Sequence, residues 1–343
     1  MIATLRILPL LFAASLASTA LAAGSFAARP EVHTFIAEMR EKHDFDGAAL
    51  VRTFARIKPI PAVIRAILPP RDPGIRSWQA YRARFVEPKR IGLGLEFWRE
   101  HRAALAAAQL STGVPEEIIV AIIGVETIYG RTTGNYTTLA ALATLAFDYP
   151  ASDLTGAPTR TRSALFRREL EELLLLARET QRDPLSFKGS YAGALGLPQF
   201  LPGSIRRYAV DGDGDGRIDL ASSPADAIAS VANFLKEHGW ERDQPVSAAA
   251  DADGEKFSTL LEEGIVPRRN PSELVAYGVT SCDAPELPAA LIDLATPQQP
   301  TEYRLGYRNF YVLTRYNRSS FYAAAVLDLA RVLRKQYAIQ NLR

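Results

Sequence analysis

The sequence predicts a mainly α-helical, globular protein. Most long segments repeat their apolar residues with helical spacing, and no repeat of about 20 to 50 residues, which would indicate a solenoid, is visible. The composition, 48% apolar and 23% charged, is typical of a folded chain, and 343 residues suffice for one large domain or two modest ones. The formal net charge of +2 and the lack of a nucleic-acid-binding motif argue against nucleic acid as a partner.

The first 22 residues have the pattern of a secretory signal peptide. Arg6 precedes a short apolar run, and the small residues Ala20 to Ala22 provide a cleavage motif. Polar residues shorten the run below the ~20 residues that a membrane span needs, although an uncleaved anchor is the alternative. The single cysteine, Cys282, lies too far away to be lipidated there and cannot form an internal disulfide. We therefore expect an exported, soluble protein that is stabilised by its apolar core.

Four segments carry a helical pattern and follow one another along the chain. They are His33–His43, Leu95–Leu110, Ser163–Gln181 and Pro224–Trp240. The first has Phe35, Ile36 and Met39 at helical spacing, and the last begins with a proline and has Gly239 as a stop. Breaks that contain proline or glycine cover residues 58–74, 149–161 and 242–256. The late run RNFYVLTRYN, residues 308–317, could be a minor strand or a loop.

A further, strongly apolar helix is predicted from Pro115 to about Tyr129, with Gly130 placed to end it. Projection at about 100° per residue places Glu126 between two groups of isoleucines, inside the apolar arc. These isoleucines are Ile118 and Ile122 on one side and Ile119 and Ile123 on the other. A carboxylate in this arc either pairs with a buried cation or stays partly neutral with a raised pKa.

The position of Glu126 has two interpretations. The last turn of a helix disfavours negative charge, so the helix dipole raises the pKa of Glu126 in the same direction as burial does. A carboxyl group that holds its proton near neutral pH is suited to act as a general acid. The alternative is a structural glutamate that is bonded to backbone groups or to an arginine, and the helix alone does not decide between them.

The stretch DGDGDGRIDLAS, residues 211–222, matches most of a calcium-binding loop. Oxygen-bearing groups occupy the positions that such a loop uses, and a glycine stands at its sharp bend. These residues are Asp211, Asp213 and Asp215 at positions 1, 3 and 5, Gly216 at the bend, Arg217 with its carbonyl at position 7, and Asp219 at position 9. Position 12 is Ser222 instead of glutamate, and a solvated acidic turn is the alternative. The four histidines are scattered and do not predict a zinc site.

Six segments, in this order, resemble the signature segments of the membrane-bound lytic transglycosylase B family. They are GVPEEIIVAIIGVETIYGRTTGN, LAALATLAFDYP, DPLSFKGSYAGALGLPQFLPGSI, YAVDGDGDGRIDL, DAIASVANFLKEHGW and NFYVLTRYNRSSFYAAAV. The likeness extends from about Glu31 to about Ala330. It implies a lysozyme-like helical transglycosylase fold with an embedded EF-hand-like loop. It also implies a periplasmic enzyme whose partner is the glycan strand of peptidoglycan.

The resemblance implies a specific reaction for Glu126. Members of this family cleave the β-1,4 bond between N-acetylmuramic acid and N-acetylglucosamine with one glutamate as the sole general acid and base, and the 6-hydroxyl of the substrate closes a 1,6-anhydromuramic acid ring. Around Glu126 no second carboxylate stands at a motif position, whereas most glycosidases need two. No cofactor is expected for catalysis. The alternatives are a lysozyme-like hydrolase, a non-catalytic peptidoglycan- or calcium-binding module, and a wall-associated structural protein.

The resemblance also implies the other site residues. Ser190 would orient the 2-acetamido group of the substrate, although a tight turn is the alternative for its glycine-rich segment. The further residues implied to line the glycan cleft are Gln199, Tyr81, Tyr316, Asn317 and Tyr322, of which Tyr322 could equally belong to the core. The family's arginine pair after Tyr-Pro is missing, and Arg160 and Arg162 are the nearest candidates to face the stem peptide. Asp226 resembles the distal ligand of the calcium site.

The expected organisation is one catalytic region, residues 23–343, after the signal peptide. Residues 23–112 would form an N-terminal helical part, and residues 113–245 a catalytic core that contains the EF-hand-like loop. Residues 246–343 would form a C-terminal part that completes the cleft.

Overall fold

The computed structural model describes residues 24–68, 76–150 and 159–341. The signal peptide expected at residues 1–22 lies outside the described residues, and so does the side chain of Arg160. In the described part the chain is mainly helical, which confirms the predicted fold class.

The described residues form helices α1 to α15 and strands β1 to β6. The helices are α1 (Pro30–His43), α2 (Gly47–Ala55), α3 (Pro61–Ile67), α4 (Trp78–Ala83), α5 (Pro88–Glu100), α6 (Arg102–Thr112), α7 (Glu116–Thr127), α8 (Thr138–Phe147), α9 (Thr159–Glu179), α10 (Pro202–Tyr208), α11 (Pro224–Glu237), α12 (Phe257–Glu262), α13 (Pro271–Leu274), α14 (Arg308–Tyr316) and α15 (Ser320–Asn341). The strands are β1 (Tyr136–Thr137), β2 (Lys188–Gly189), β3 (Ser247–Ala252), β4 (Val279–Thr280), β5 (Ala290–Leu294) and β6 (Glu302–Gly306).

In the part of the chain that the structure describes, no single helix is long and apolar enough to cross a membrane. Helices α6 and α7 reach the required length and hydropathy only as a pair, and they bend by 115° at their break.

The four segments with a helical pattern are helical, but the second one is divided. His101 ends α5 and begins α6, so Leu95–Leu110 contains parts of two helices. All three expected breaks also contain regular structure, and in residues 149–161 it is the start of α9 at Thr159. Helix α3 lies within residues 58–74, because Pro61 occupies the first turn, where proline is tolerated. Strand β3 lies within residues 242–256 and is rich in alanine, which gives a weak strand signal.

The run at residues 308–317, expected to be a minor strand or a loop, is helix α14. Its buried side chains include Phe310, Leu313 and Thr314, which follow the i, i+3, i+4 spacing of a helix. The strands that the sequence did not predict form a four-stranded antiparallel sheet in the order β4-β3-β6-β5.

One compact unit combines the described residues before residue 69 with residues 135–194. Helix α8 packs along α9, and Phe26, Phe35 and Phe147 form an aromatic cluster. Strands β1 and β2 pair in an antiparallel manner. A bidentate ion pair between Arg167 and Glu38, with N–O distances of 2.7 and 2.8 Å, joins α9 to α1.

A second compact unit combines residues 76–134 with residues 195–341. Its core surrounds α7, of which every residue from Ile118 to Val125 is buried. Helices α5, α6, α11 and α15 pack against α7, and a smaller core lies on the four-stranded sheet. Because the first unit joins two separated segments, the contacts group the chain differently from the three consecutive parts expected from the sequence.

Candidate active site

Helix α7 carries Glu126 in its last turn. The helix begins at Glu116 and ends at Thr127, so its predicted end near Tyr129 is two residues too late. Ile128 and Tyr129 both adopt the left-handed conformation, with φ of 52° and 57°, and this reversal stops the helix before Gly130. The hydroxyl of Thr127 donates to the Leu197 carbonyl at 2.9 Å and accepts from the Gly130 amide at 3.0 Å. Thr127 therefore fixes the segment that follows the glutamate.

Two glycines make room for the Tyr129 ring behind Glu126. A Cβ atom at Gly124 would lie 2.6 Å from Tyr129 Cζ and still closer to the hydroxyl, and a Cβ at Gly94 of α5 would also meet this hydroxyl. Neither position can carry a larger side chain unless the tyrosine moves. This close packing explains why a glycine stands at position 124, two residues before Glu126 in α7.

The carboxylate of Glu126 lies in a largely apolar setting. Its side chain keeps partial exposure, and Oε1 accepts a hydrogen bond of 2.6 Å from the hydroxyl of Tyr322. Burial raises the pKa of Glu126 to about 7, although the Tyr322 hydrogen bond acts in the opposite direction. Among the described residues, no cation forms an ion pair with Glu126 and no second carboxylate contributes to this pKa. Of the two possibilities left open by the sequence, the structure supports a carboxyl group that stays partly neutral.

Two tyrosines line the carboxylate from the C-terminal helices. Tyr322 in α15 is only 2% exposed, and its ring is nearly parallel to that of Tyr316 at a centroid distance of 6.3 Å. Tyr316 donates its hydroxyl to the Pro198 carbonyl at 2.6 Å. Burial, followed by the charge of Glu126, raises the pKa of both tyrosines well above the usual value. Tyr322 therefore belongs to the core and to the site at once.

Tyr81, Gln199 and Asn317 belong to the same unit as Glu126. Burial and then the charge of Glu126 raise the pKa of Tyr81, which places this side chain within electrostatic reach of the carboxylate. Gln199 has a left-handed backbone with φ of 52°, and its amide donates to the carbonyls of Gly196 and Thr133 at 2.9 and 3.2 Å. Asn317 is exposed and follows the last residue of α14.

Ser190 and Arg162 belong to the first unit. The Ser190 hydroxyl accepts from the Ala194 amide at 3.1 Å, and the Ser190 amide donates to the Ala194 carbonyl at 2.9 Å, which makes a tight turn. Arg162 donates to the Tyr149 hydroxyl at 3.2 Å. Substrate contacts of these two residues remain predictions.

Sequence reasoning missed Arg90, which supports helix α7. This arginine is buried in α5, donates from Nε to the Gly124 carbonyl at 2.9 Å, and also donates to the Arg84 carbonyl. These bonds satisfy the Gly124 carbonyl, two residues before Glu126, and the Arg84 carbonyl, just after α4. The sequence offers little signal for this role, because Lys89, Glu96 and Arg99 are charged residues of the same helix.

The acidic loop after α10 brings three of the proposed calcium ligands together. Carboxylate oxygens of Asp211, Asp213 and Asp226 all lie within 4.8 Å of one another. Asp226 is 1% exposed and accepts from the amides of Gly212 and Asp219 at 2.8 and 2.6 Å. The extra serine before Asp226 therefore does not prevent it from reaching the loop. A cluster of carboxylates that includes one buried member fits a hard cation such as calcium.

Asp215 is not part of this group. One of its carboxylate oxygens accepts from the Arg217 amide at 2.8 Å. Asp219 also turns back on its own loop, where it accepts from the amides of Ala221 and Ser222 at 2.9 and 3.1 Å. Calcium contacts of Asp215 and of the Arg217 carbonyl therefore remain predictions.

Comparisons with known proteins identify relatives of this chain. A family model described as a transglycosylase SLT domain matches residues 27–331. Membrane-bound lytic murein transglycosylase B of Escherichia coli K12 is 40% identical over 327 residues, which cover 90% of this chain and 84% of that protein.

Three solved structures are similar over most of the chain. The soluble lytic transglycosylase SltB1 from Pseudomonas aeruginosa is 43% identical with a TM-score of 0.81, covering 90% of this chain and 100% of that chain. The Escherichia coli lytic transglycosylase Slt35 in complex with calcium is 38% identical with a TM-score of 0.77, covering 92% and 96%. SltB3 from Pseudomonas aeruginosa in complex with NAG-anhNAM-pentapeptide is 29% identical with a TM-score of 0.72, covering 89% and 79%.

Proposed function

The chain belongs to the lytic murein transglycosylase B family, and from this premise we propose that it cleaves the β-1,4 bond between N-acetylmuramic acid and N-acetylglucosamine in peptidoglycan. The products end in 1,6-anhydromuramic acid. The observation that carries the proposal is a single carboxyl group, Glu126, with a pKa of about 7 and a hydrogen bond from Tyr322. A glutamate in this state can first donate a proton and then accept one.

Glu126 acts first as the general acid. It gives its proton to the glycosidic oxygen while the bond between that oxygen and C1 of the muramoyl residue breaks, and positive charge develops at C1. The 6-hydroxyl oxygen of the same sugar then attacks C1. The Glu126 carboxylate takes the hydroxyl proton, the C1–O6 bond forms, and Glu126 is protonated again. No water is consumed, so no second carboxylate is needed to activate one.

The glycan strand is the proposed partner. Tyr81 and Tyr316 supply aromatic surfaces near Glu126, and Asn317 is exposed at the end of α14, where it can bond to sugar groups. Gln199 and Ser190 are proposed to contact the substrate, with Ser190 directed at the 2-acetamido group. Arg162 is proposed to face the acidic stem peptide. The signal peptide expected at residues 1–22 supports export to the periplasm, where this substrate occurs.

A structural calcium ion is proposed for the acidic loop. Asp211, Asp213 and Asp226 would hold it, with Asp215 and the Arg217 carbonyl as further ligands. When bound, the ion links the loop to the first turn of α11, where Asp226 stands. It takes no part in the chemistry, because the proton transfers at Glu126 need no metal.

Digestion of purified sacculi tests the proposed reaction. The wild-type protein should release muropeptides that end in 1,6-anhydromuramic acid, which mass spectrometry detects because they are lighter than hydrolytic products by one water. Glu126→Gln should keep the fold and bind glycan but lose nearly all turnover, because an amide of the same shape cannot donate the proton. Reducing ends as the main product would favour a lysozyme-like hydrolase. Full activity of Glu126→Gln would contradict the assignment of the catalyst.

A further inference from the structure

Helix α4 is a six-residue helix that carries Tyr81. A helix this short does not hold its own shape in water, so its position depends on contacts with its neighbours. The Tyr81 ring packs against Phe85 and Phe321 at centroid distances of 5.1 and 5.6 Å. These aromatic contacts orient the ring, and the polar contacts at the two ends of α4 attach the helix that carries it to the rest of the unit.

The beginning of α4 is bonded to the sheet. The Trp78 amide donates to the Ala295 carbonyl at 2.8 Å, and the Trp78 indole donates to Glu302 Oε2 at 3.0 Å. Glu302 Oε1 in turn accepts from Arg304 Nε at 2.6 Å. The first residue of α4 is thus attached at two points.

The end of α4 is bonded to α15, the helix that carries Tyr322. Arg82 Nε donates to Asp328 Oδ2 at 2.6 Å, and Arg304 donates to both oxygens of Asp328 at 2.9 and 3.2 Å. Burial alone would raise the pKa of Asp328, but Arg304 and Arg82 bring it below the usual value, so the aspartate is ionised. A buried carboxylate between two guanidinium groups is a strong and directional anchor.

A second arginine joins the end of α4 to the catalytic helix. Arg90 donates to the Arg84 carbonyl, just after α4, and to the Gly124 carbonyl in α7. The short helix with Tyr81 is therefore linked by ionic and hydrogen bonds to both helices whose side chains meet at Glu126. Of these contacts, the Arg82–Asp328 pair is the one that can be removed with the least disturbance of the core.

We propose that Arg82 is a positioning residue for glycan binding, which through Asp328 holds α4 so that Tyr81 forms one wall of the site around Glu126. This inference rests on the proposed function, because it assigns Tyr81 to the bound glycan. The Arg82 side chain is 41% exposed, whereas that of Asp328 is 7% exposed. When Arg82 is removed, Asp328 keeps Arg304 as its partner, so the loss in stability is small while α4 gains freedom to move.

The test uses the full chain and soluble, uncrosslinked glycan strands, with KM, kcat and the melting temperature measured for each variant. Arg82→Met keeps an unbranched, flexible stem but removes the guanidinium group and its charge. We expect its KM to rise about 5- to 20-fold, because a displaced wall weakens binding, with kcat within about twofold of wild type. Arg82→Lys retains a cation beside Asp328 and should restore most of the affinity. If Arg82→Met folds poorly, Arg82→Gln, which also removes the charge but stays polar, is measured in its place and should raise KM in the same direction.

Two controls separate positioning from a general loss of stability. Arg269→Met removes another partly exposed arginine from an ion pair, with Glu263, and should leave KM unchanged. Tyr81→Ala should raise KM by itself, and in that background Arg82→Met should add little, because its effect passes through Tyr81. A wild-type KM in Arg82→Met would overturn the proposal. So would an increase in KM on Arg82→Met that is equally large in the wild-type and the Tyr81→Ala backgrounds. Retained turnover in Glu126→Gln would instead contradict the proposed function, so the two failures are distinguishable.

Discussion

At the scale of single residues, burial raises the pKa of Glu126 and the hydroxyl of Tyr322 moderates that increase. Its 2.6 Å hydrogen bond stabilises the carboxylate and so opposes the effect of burial on the pKa. A general acid must be protonated before each turnover, so kcat/KM should fall as the pH rises through about 7.

Tyr322→Phe should move this decline to higher pH, because the pKa of Glu126 rises when the hydrogen bond is lost. It should also lower kcat by about tenfold or more, since the carboxyl group loses the contact that orients it. A pH profile of kcat/KM measures both effects. Tyr337→Phe in the same helix is the matched control and should keep the wild-type profile. An unchanged profile in Tyr322→Phe would show that this hydroxyl does not act on Glu126.

Glu126 should also make the stability of the folded protein depend on pH. Its pKa is raised from 4.5 to about 7, so the folded state binds a proton that the unfolded state releases between these values. Stability should therefore fall as the pH rises through this window, by roughly 3 kcal/mol in total. Glu126→Gln lacks this titration. Its advantage in melting temperature over the wild type should be small near pH 4 and largest above pH 7, and an advantage independent of pH would contradict the raised pKa.

The sequence predicts the burial of Glu126 but not its hydrogen bond with Tyr322. The burial of Glu126 follows from helical periodicity, because its neighbours in sequence are also its neighbours in space. Tyr322 is 196 residues away, and local patterns do not reveal its hydrogen bond to Glu126. Family resemblance placed Tyr322 near the glycan but left its role undecided between core and site. In the structure Tyr322 is buried in the core and donates its hydroxyl to Glu126, whereas its contact with the glycan stays a prediction.

At the scale of the helix, α7 depends on a glycine that gives room to Tyr129. Gly124→Ala should destabilise the protein by about 1 to 3 kcal/mol, because the new methyl group overlaps the Tyr129 ring and hydroxyl. Activity should fall as well, since Glu126 is two residues away. Gly92→Ala in α5 is the matched control. Nothing lies within 4 Å of its added Cβ, so this change should be neutral or stabilising by about 0.5 to 1 kcal/mol. Denaturant unfolding of the two variants compares them directly.

The acidic loop should respond to calcium as one element. Calcium should raise the melting temperature of the wild type, because an ion that binds only the folded state stabilises it, and excess chelator should reverse the effect. Asp211→Asn should lose most of this response, whereas Asp253→Asn, at an exposed aspartate outside the loop, should keep it. Calorimetry with and without chelator makes the measurement. If calcium leaves the wild-type melting temperature unchanged, the loop is an acidic turn.

Element boundaries were predicted less well than the presence of helices. Helix α7 was predicted to reach Tyr129, but Ile128 and Tyr129 adopt left-handed conformations that their residue types disfavour. Tertiary contacts, such as the Thr127 bond to Leu197, hold this end and are not visible in sequence. Strand β3 was missed for a related reason, since its alanines have little strand preference and it is held in place by β4 and β6 on either side.

At the scale of the whole molecule, the order of segments in the chain is a poor guide to compact units. Residues 135–194 group with the N-terminal helices and not with the segments on either side of them. Glu126 and the tyrosines around it come from widely separated positions, yet all belong to the second unit. Composition and periodicity predict that the chain folds into helices with a common core, but they do not predict which distant segments share it.

The whole reaction should proceed without incorporation of water. Among the described residues, burial and the Tyr322 hydrogen bond are the causes of the shifted pKa of Glu126, and a second carboxylate, of the kind that most glycosidases use, is not one of them. The 6-hydroxyl of the substrate is held on the sugar itself and therefore reaches C1 far more readily than a free water molecule does. Digestion of sacculi in water enriched with oxygen-18 should give muropeptides without the heavy isotope at their new ends. A hydrolase used in parallel must incorporate it, and incorporation by this protein as well would assign it to hydrolysis.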